Sequence, residues 1–148
     1  MLIAMLCASL FASAYDFKVD GIYYNILSDQ STVEVTYRNT NYDAYIGEII
    51  IPSEVSYNGN TYTVTGIGYR AFYKCSSVTA ITIPPTVNKI GLYAFEDANH
   101  IQKVNISSLT SWCMMDVDSY YSCPLVYGGT LFLNNSPVSS LESLDSSC

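Results

Sequence analysis

The sequence is poor in basic residues and in charge overall. Six of its 148 residues are Lys or Arg, these six are scattered singly, and the formal net charge is −7. Nucleic acids and anionic membranes are bound through clustered cations, so both are poor partners for this chain. Charged residues make up 13% of the chain and apolar residues 49%, which argues against wholesale disorder.

Residues that usually carry catalysis are scarce and isolated. The one histidine, His100, is expected at the surface, and no signature of a nucleophile or acid accompanies it or Cys113. Asp116 and Asp118 form an Asp-x-Asp pair, but no glycine-bearing loop or downstream glutamate completes a calcium site. No two carboxylates can be placed in one cleft, as glycoside hydrolysis requires. The sequence therefore predicts no enzyme, no cofactor and no bound metal.

Strongly apolar sequence is confined to the first fourteen residues. Residues 1–14 carry no charged side chain and end in Ala-Ser-Ala, a small-residue cleavage pattern. The segment is shorter than the ~20 apolar residues of a transmembrane helix, so we interpret it as a signal peptide. A buried N-terminal helix is the alternative. Export predicts a protein that is extracellular or held at the cell surface or envelope, without a transmembrane segment.

Export would leave four cysteines in an oxidising compartment: Cys75, Cys113, Cys123 and Cys148. Three complete pairings are open, and the sequence does not choose among them. Cys75 occupies a repeated position whose counterpart is Ala98, so we expect it to be a small buried thiol outside any disulfide. Cys113 and Cys123 are the best candidates for a disulfide.

One segment of the chain repeats itself. The pattern Ile-Gly-x-x-Ala-Phe at residues 67–72 returns 23 positions later at residues 90–95, and the neighbouring apolar positions stay apolar. A fixed period in this range is typical of a solenoid, in which each coil buries its apolar edge by stacking on its neighbours. Phe72 and Phe95 are therefore predicted to stack as the main core residues.

Each coil is predicted to contain a short strand, a turn and a bend. Ile81–Ile83 is the strand, and the following proline ends it because proline cannot donate to a ladder. Gly68 and Gly91 are expected to permit a close approach or an unusual backbone conformation at the bends. Short helical or 3₁₀ turns are expected near residues 69–75 and 92–98, with little regular helix elsewhere.

The alternating pattern and turn residues divide the chain further. An Asp20-Gly21 turn predicts a hairpin near the N-terminus, and Asn58-Gly59 predicts a hairpin inserted at about residues 56–63. The predicted boundaries are 1–14 for the signal peptide, 15–47 for an N-terminal β cap, 48–106 for the coils, 107–135 for an irregular C-terminal coil or cap, and 136–148 for a flexible tail.

The repeat resembles that of the BspA-type leucine-rich-repeat proteins. Residues 83–95 match its Ile-Pro, Ile-Gly and Ala-Phe positions, and residues 68–75 continue to its cysteine; Ala98 departs from the pattern. The resemblance implies a β-rich leucine-rich-repeat solenoid of short strands and turns. It also implies an exported bacterial surface protein, in some members connected with adhesion, and no catalytic residues.

Recognition of a ligand is the function that remains. Tyrosine and arginine are enriched in binding hot spots, and a solenoid gathers repeated positions into one surface. The alternative is that exposed tyrosines simply cover β-structure. The candidate ligand-binding residues are Tyr69, Arg70, Tyr73 and Tyr93 at the bends, and Thr82, Lys103 and Asn105 on the outer strand face.

The sequence thus favours a secreted or cell-surface module that binds an extracellular protein or glycan without catalysis. A purely structural envelope protein, or the terminal fragment of a longer repeat protein, is the second hypothesis. A carbohydrate-active enzyme is the third and least favoured.

Overall fold

The computed structural model describes residues 14–139. The predicted signal peptide and Cys148 therefore lie outside the described residues, except for Ala14. The strands are β1 (Phe17–Val19), β2 (Ile22–Ile26), β3 (Thr32–Thr36), β4 (Gly47–Ile50), β5 (Glu54–Tyr57), β6 (Asn60–Ile67), β7 (Val78–Ile83), β8 (Lys89–Ile90), β9 (Lys103–Ile106), β10 (Asp116–Val117), β11 (Thr130–Leu133) and β12 (Ser136–Pro137). A short helix, α1 (Leu109–Cys113), and a 3₁₀ turn (Tyr120–Ser122) complete the secondary structure.

The chain winds between two sheets. Strands β3, β6, β8 and β10 are parallel neighbours in a seven-stranded sheet, and β4, β7, β9 and β11 are parallel neighbours in a five-stranded sheet. Each passage through the first sheet is followed by a bend and a passage through the second. The fold is therefore a β-solenoid of about four coils with very little helix, as the sequence predicts.

The period of 23 residues is visible in the strand register. Ile67 pairs with Ile90, and Ile83 pairs with Ile106, each with its counterpart one coil later. All four side chains are buried. Because equivalent apolar residues lie directly against one another, a repeat in the sequence becomes a continuous core.

The aromatic residues of successive bends form a column. The rings of Phe72 and Phe95 are parallel within 2°, with centroids 4.9 Å apart, and Tyr45 packs on Phe72 at 4.6 Å. All three are buried. The predicted stacking is confirmed, and Tyr45 extends the column into the first coil.

The bends differ from the predicted helical turns, because each is a series of overlapping turns. The backbone N–H groups of a bend donate hydrogen bonds of two kinds. Some bonds lie within the coil, as from Cys75 N to Phe72 O, and others reach the next coil, as from Phe72 N to Ala94 O at 2.8 Å. Residues at the third positions of these turns adopt positive φ, which a helix does not allow. They are Arg70 (54°), Lys74 (58°), Tyr93 (59°) and Asp97 (60°).

Gly68 and Gly91 allow the coils to approach closely. A Cβ atom on Gly91 would lie 2.9 Å from the backbone N of Tyr69, and one on Gly68 would lie 2.6 Å from the carboxyl carbon of Glu34. Neither glycine has positive φ. Their role is therefore to give space between stacked coils, and not to supply an unusual backbone conformation.

The N-terminal strands extend the seven-stranded sheet. β1, β2 and β3 are antiparallel, and the Asp20-Gly21 turn joins the first two. The Asn58-Gly59 turn joins β5 to β6, with φ of 49° and 80°, and both positive values fit a type I′ hairpin. Parallel stacking begins at β3, which is earlier in the chain than the predicted start of the coils at residue 48.

The C-terminal part continues the parallel pairing. Leu131 pairs with Val104, and Val117 pairs with Ile90, so the coil pattern persists after the sequence repeat has faded. The predicted disulfide between Cys113 and Cys123 is wrong, because Cys123 is a free thiol. Cys75 is free and 1% exposed, as predicted.

Candidate functional site

The bends bring several tyrosines around one arginine. The guanidinium carbon of Arg70 lies between 4.7 and 5.7 Å from the ring centroids of four tyrosines. Tyr37 packs on one of these tyrosines, Tyr42, with ring centroids 4.9 Å apart. We call this set the Arg70 cluster; its members are Arg70, Tyr37, Tyr42, Tyr69, Tyr73 and Tyr93.

The turn geometry explains how the cluster is displayed. Tyr42, Arg70 and Tyr93 all have positive φ, and non-glycine residues adopt this conformation infrequently. Each lies two or three positions before a buried residue of the aromatic column, so the core helps to hold the backbone of the bends in place. Tyr69 is 46% exposed, and Arg70 and Tyr93 are half-buried. The cluster is therefore an accessible surface on a rigid support.

The cluster contains one cation, the Arg70 guanidinium, and a second cation, Lys74 Nζ, lies over the Tyr73 ring at 5.2 Å. The ion pairs within residues 14–139 involve Arg38 and Lys89, and Arg70 makes none of them. Its hydrogen bond with Tyr42 raises the pKa of the guanidinium above its ordinary value. The Arg70 Nε is buried without a hydrogen-bond partner. The guanidinium is thus held by aromatic rings, and no carboxylate within residues 14–139 forms an ion pair with it.

This arrangement offers two kinds of contact to a ligand. Ring faces and edges can pack against apolar or sugar surfaces, and a guanidinium can donate to a carboxylate, sulfate or carbonyl oxygen. Cation–π contacts also keep the guanidinium in one position, which lowers the entropy lost on binding. The cluster thus combines aromatic surfaces with one hydrogen-bond-donating cation.

The strand-face residues form a separate group. Thr82 pairs in register with Asn105 on the outer face of the five-stranded sheet. Lys103 Nζ donates to the side-chain oxygen of Asn135 at 3.0 Å and lies over the ring of Phe132 at 5.0 Å. Asn135 N donates to Asn105 Oδ1 at 2.9 Å. Lys103 and Asn105 thus stabilise the turn between β11 and β12.

The seven predicted ligand-binding residues therefore form two spatially separate groups. Those at the bends lie together, and those on the strands lie on another surface. Tyr37 and Tyr42 were missed, since their loop lacks the Ile-Gly and Ala-Phe pattern. Tyr42 precedes the core residue Tyr45 by three positions, as Tyr69 precedes Phe72, and that spacing is the signal that could have found it.

The residues considered for catalysis or metal binding make other contacts in the structure. Asp116 and Asp118 lie 3.7 and 3.4 Å from Lys89 Nζ and form a surface ion-pair group. His100 is exposed, with its Nδ1 2.6 Å from the carbonyl oxygen of Ser76. Across residues 14–139, no three His, Cys, Asp or Glu side chains are grouped to hold a metal ion. None of the helices in that range has the length and apolar character needed to cross a membrane.

Comparison of the sequence with protein families gives a match over more than half of the chain. Residues 39–126 match the family model described as BspA type leucine rich repeat region (6 copies). This range includes the bends and most of the Arg70 cluster. No curated protein matches the sequence significantly.

Three solved structures share the fold. A leucine rich cell surface protein from Faecalibacterium prausnitzii A2-165 has a TM-score of 0.51 at 28% identity, covering 62% of this chain and 23% of that protein. A leucine-rich repeat protein from Bacteroides ovatus ATCC 8483 has a TM-score of 0.52 at 27% identity, covering 80% and 37%. One from Bacteroides capillosus ATCC 29799 has a TM-score of 0.52 at 21% identity, covering 79% and 96%, and shows the fold alone. The chain spans less than half the length of the first two.

Proposed function

Because the chain belongs to the BspA type leucine-rich-repeat family, we propose that it is an exported, non-catalytic module that binds an extracellular protein or glycan through the Arg70 cluster. Leucine-rich-repeat domains generally mediate protein binding and are generally non-enzymatic. The observation that carries the proposal is a guanidinium surrounded by four tyrosine rings on an accessible bend, which forms no ion pair with a carboxylate of the described residues.

The composition of the cluster supports a binding role. Arginine and tyrosine are among the residues that contribute most to interfaces, and they do so when clustered on a well-packed base. Here the base is the aromatic column, whose Phe72 is fully buried. Multi-point contact on a preorganised surface loses less entropy than contact with a mobile loop.

The strand-face residues have a lesser part in the proposal. Lys103 and Asn105 already bond to Asn135, so a ligand would have to compete with those hydrogen bonds. Thr82 adjoins them in the sheet. We assign these three residues secondary contacts at most, and the Arg70 cluster the main ones.

Export to the cell surface or the extracellular medium is part of the same proposal. It is supported by the apolar residues 1–14 with their small-residue cleavage pattern. The structure from F. prausnitzii is described as a cell surface protein, which is consistent with that location.

The proposal is tested by binding to arrays of glycans and extracellular-matrix proteins. Arg70→Gln keeps a polar, hydrogen-bonding side chain and removes its charge, and we expect it to weaken binding of the retained ligand by about tenfold or more. Lys18→Gln is the matched control, because Lys18 also lies over a tyrosine ring, that of Tyr23 at 4.9 Å, but in the N-terminal cap. Equal binding by Arg70→Gln and wild type would refute the site.

The same arrays distinguish the second hypothesis. If the wild-type chain retains no protein or glycan at millimolar concentration, a purely structural role in the envelope becomes the better account. Hydrolysis of a glycan on the array would instead favour an enzyme.

A further inference from the structure

One sheet edge is left open at the N-terminal end of the solenoid. The N-terminal strands β1 and β2 extend the seven-stranded sheet beyond β3, but the five-stranded sheet ends at β4. β4 pairs with β7 on one side, and within residues 14–139 no strand pairs with its other side. An unpaired edge offers a row of backbone donors and acceptors to another strand.

The backbone of β4 shows which groups are available. Ile51 N donates to Thr82 O at 3.0 Å, so the odd-numbered residues here face β7. Because N–H and C=O groups alternate sides along a strand, Glu48 and Ile50 direct theirs toward the open side. Two residues therefore present backbone hydrogen-bonding groups to an incoming strand.

A groove runs along this edge between β4 and the turn of the N-terminal hairpin. One part has a volume of about 470 Å³ and is lined by residues of both elements, including Gly21, Ile22 and Ile46. An adjoining part of about 340 Å³ includes Val19 and Pro52. Both parts are open to solvent, so an extended chain can lie along β4 without displacing the hairpin.

The side chains around the groove are apolar and acidic. Ile46 is 75% exposed and Ile50 is 64% exposed, which is unusual for isoleucine, and Glu48 lies between them on the same face of the strand. Asp20 and Glu54 add two more carboxylates to the lining. No basic residue lines either part of the groove.

We propose that an extended peptide segment, with lysine or arginine between apolar residues, binds by adding a strand to β4. Its backbone pairs with Glu48 and Ile50. Its apolar side chains cover Ile46 and Ile50, and its basic side chain lies opposite Glu48, since oppositely charged cross-strand pairs are favourable.

Charge argues against a second copy of this chain as the occupant. Pairing of two β4 edges would bring two copies of Glu48 close together, and each chain carries a net charge of −7. Like charges across a strand pair are unfavourable. A basic partner segment gains from the same charges, and this gain decreases with salt concentration.

The test uses the full chain and two synthetic peptides, Thr-Val-Thr-Lys-Thr-Val-Thr, which places valine, lysine and valine on one face of the added strand, and the same peptide with glutamate in place of lysine. Binding is followed by ¹H–¹⁵N chemical shifts and amide exchange. We expect the lysine peptide to bind and to slow amide exchange at Glu48 and Ile50. Its affinity should be at least about tenfold higher than that of the glutamate peptide.

Two substitutions of β4 make the test specific. Ile50→Pro removes an N–H from the open edge while leaving the β7 side intact, and we expect it to weaken the lysine peptide about tenfold. Glu48→Lys should reverse the preference toward the glutamate peptide; Glu96→Lys, on a bend, is the matched charge control. Circular dichroism checks that each variant is folded.

The outcomes separate this proposal from the function proposed above. Arg70→Gln should leave peptide binding unchanged. The β4 proposal is overturned if the lysine peptide does not bind at millimolar concentration, if Glu48→Lys fails to change the preference, or if sedimentation shows that the chain instead dimerises through β4.

Discussion

Removal of the Phe72 ring is the perturbation that should affect the solenoid most. Phe72 is fully buried, and its ring lies between those of Tyr45 and Phe95 at 4.6 and 4.9 Å. Replacing a buried phenylalanine with alanine costs about 3–5 kcal/mol, from lost apolar burial and from the cavity left behind. Domains of this size have a free energy of unfolding of about 5–15 kcal/mol. Phe72→Ala should therefore remove a large part of the stability.

The assay is urea unfolding followed by circular dichroism and tyrosine fluorescence. Tyr69→Ala is the control in the same bend, because its side chain is 46% exposed, and we expect it to cost less than about 1 kcal/mol.

A double-mutant cycle isolates the contact between the two rings. Phe72→Leu and Phe95→Leu keep the core filled, and their coupling free energy should be about 0.5–1.5 kcal/mol, the range for aromatic pairs. If Phe72→Ala cost no more than Tyr69→Ala, or if the leucine variants showed no coupling, the stacking of successive coils would be refuted.

Two further substitutions and one labelling experiment test the packing of the solenoid. Gly91→Ala places a Cβ 2.9 Å from Tyr69 N and should cost about 1–3 kcal/mol in urea unfolding; an unchanged midpoint contradicts the close approach. Burial raises the pKa of Glu34, so the stability it contributes is full below its ordinary value of about 4.3 and is lost as the pH rises through its raised pKa. Glu34→Gln should therefore be more stable than wild type at pH 7 and show a flatter pH profile, and a lower stability at pH 7 contradicts this. Burial also raises the pKa of the Cys75 thiol, so a thiol reagent should label Cys123 in the native protein and Cys75 only on unfolding; fast native labelling of Cys75 would contradict its burial.

The solenoid was predictable because the residues that repeat in the sequence occupy equivalent positions in the core of successive coils. Ile67 and Ile90 are identical in the sequence and paired in the sheet, so one observation contains both the period and the contact. The two hairpins were predictable for a similar reason, since Asp-Gly and Asn-Gly favour the positive φ that their turns require.

The bends were harder to predict because their conformation does not follow residue preference. Arg70 and Tyr93 adopt positive φ without being glycine or asparagine, and hydrogen bonds to the next coil compensate for the unfavourable conformation. A local pattern contains no information about those bonds. The predicted short helices were therefore replaced by overlapping turns.

The candidate site was predictable only within the repeated coils. Tyr69, Arg70, Tyr73 and Tyr93 were predicted to lie at the bends, where the structure places them, whereas Tyr42 lies in a first bend that does not share the motif. The disulfide was wrong for a related reason. Ten residues of separation permit Cys113 and Cys123 to meet, but whether they do depends on the path of the chain between α1 and β11.

Chemical-shift mapping with an array-retained ligand tests the central claim most directly. The account predicts that the largest shifts fall on Arg70, Tyr69 and Tyr93, and that Arg70→Gln abolishes them while the fold is unchanged. Shifts of equal size in the Arg70→Gln variant, or shifts confined to residues outside the Arg70 cluster, would contradict the account.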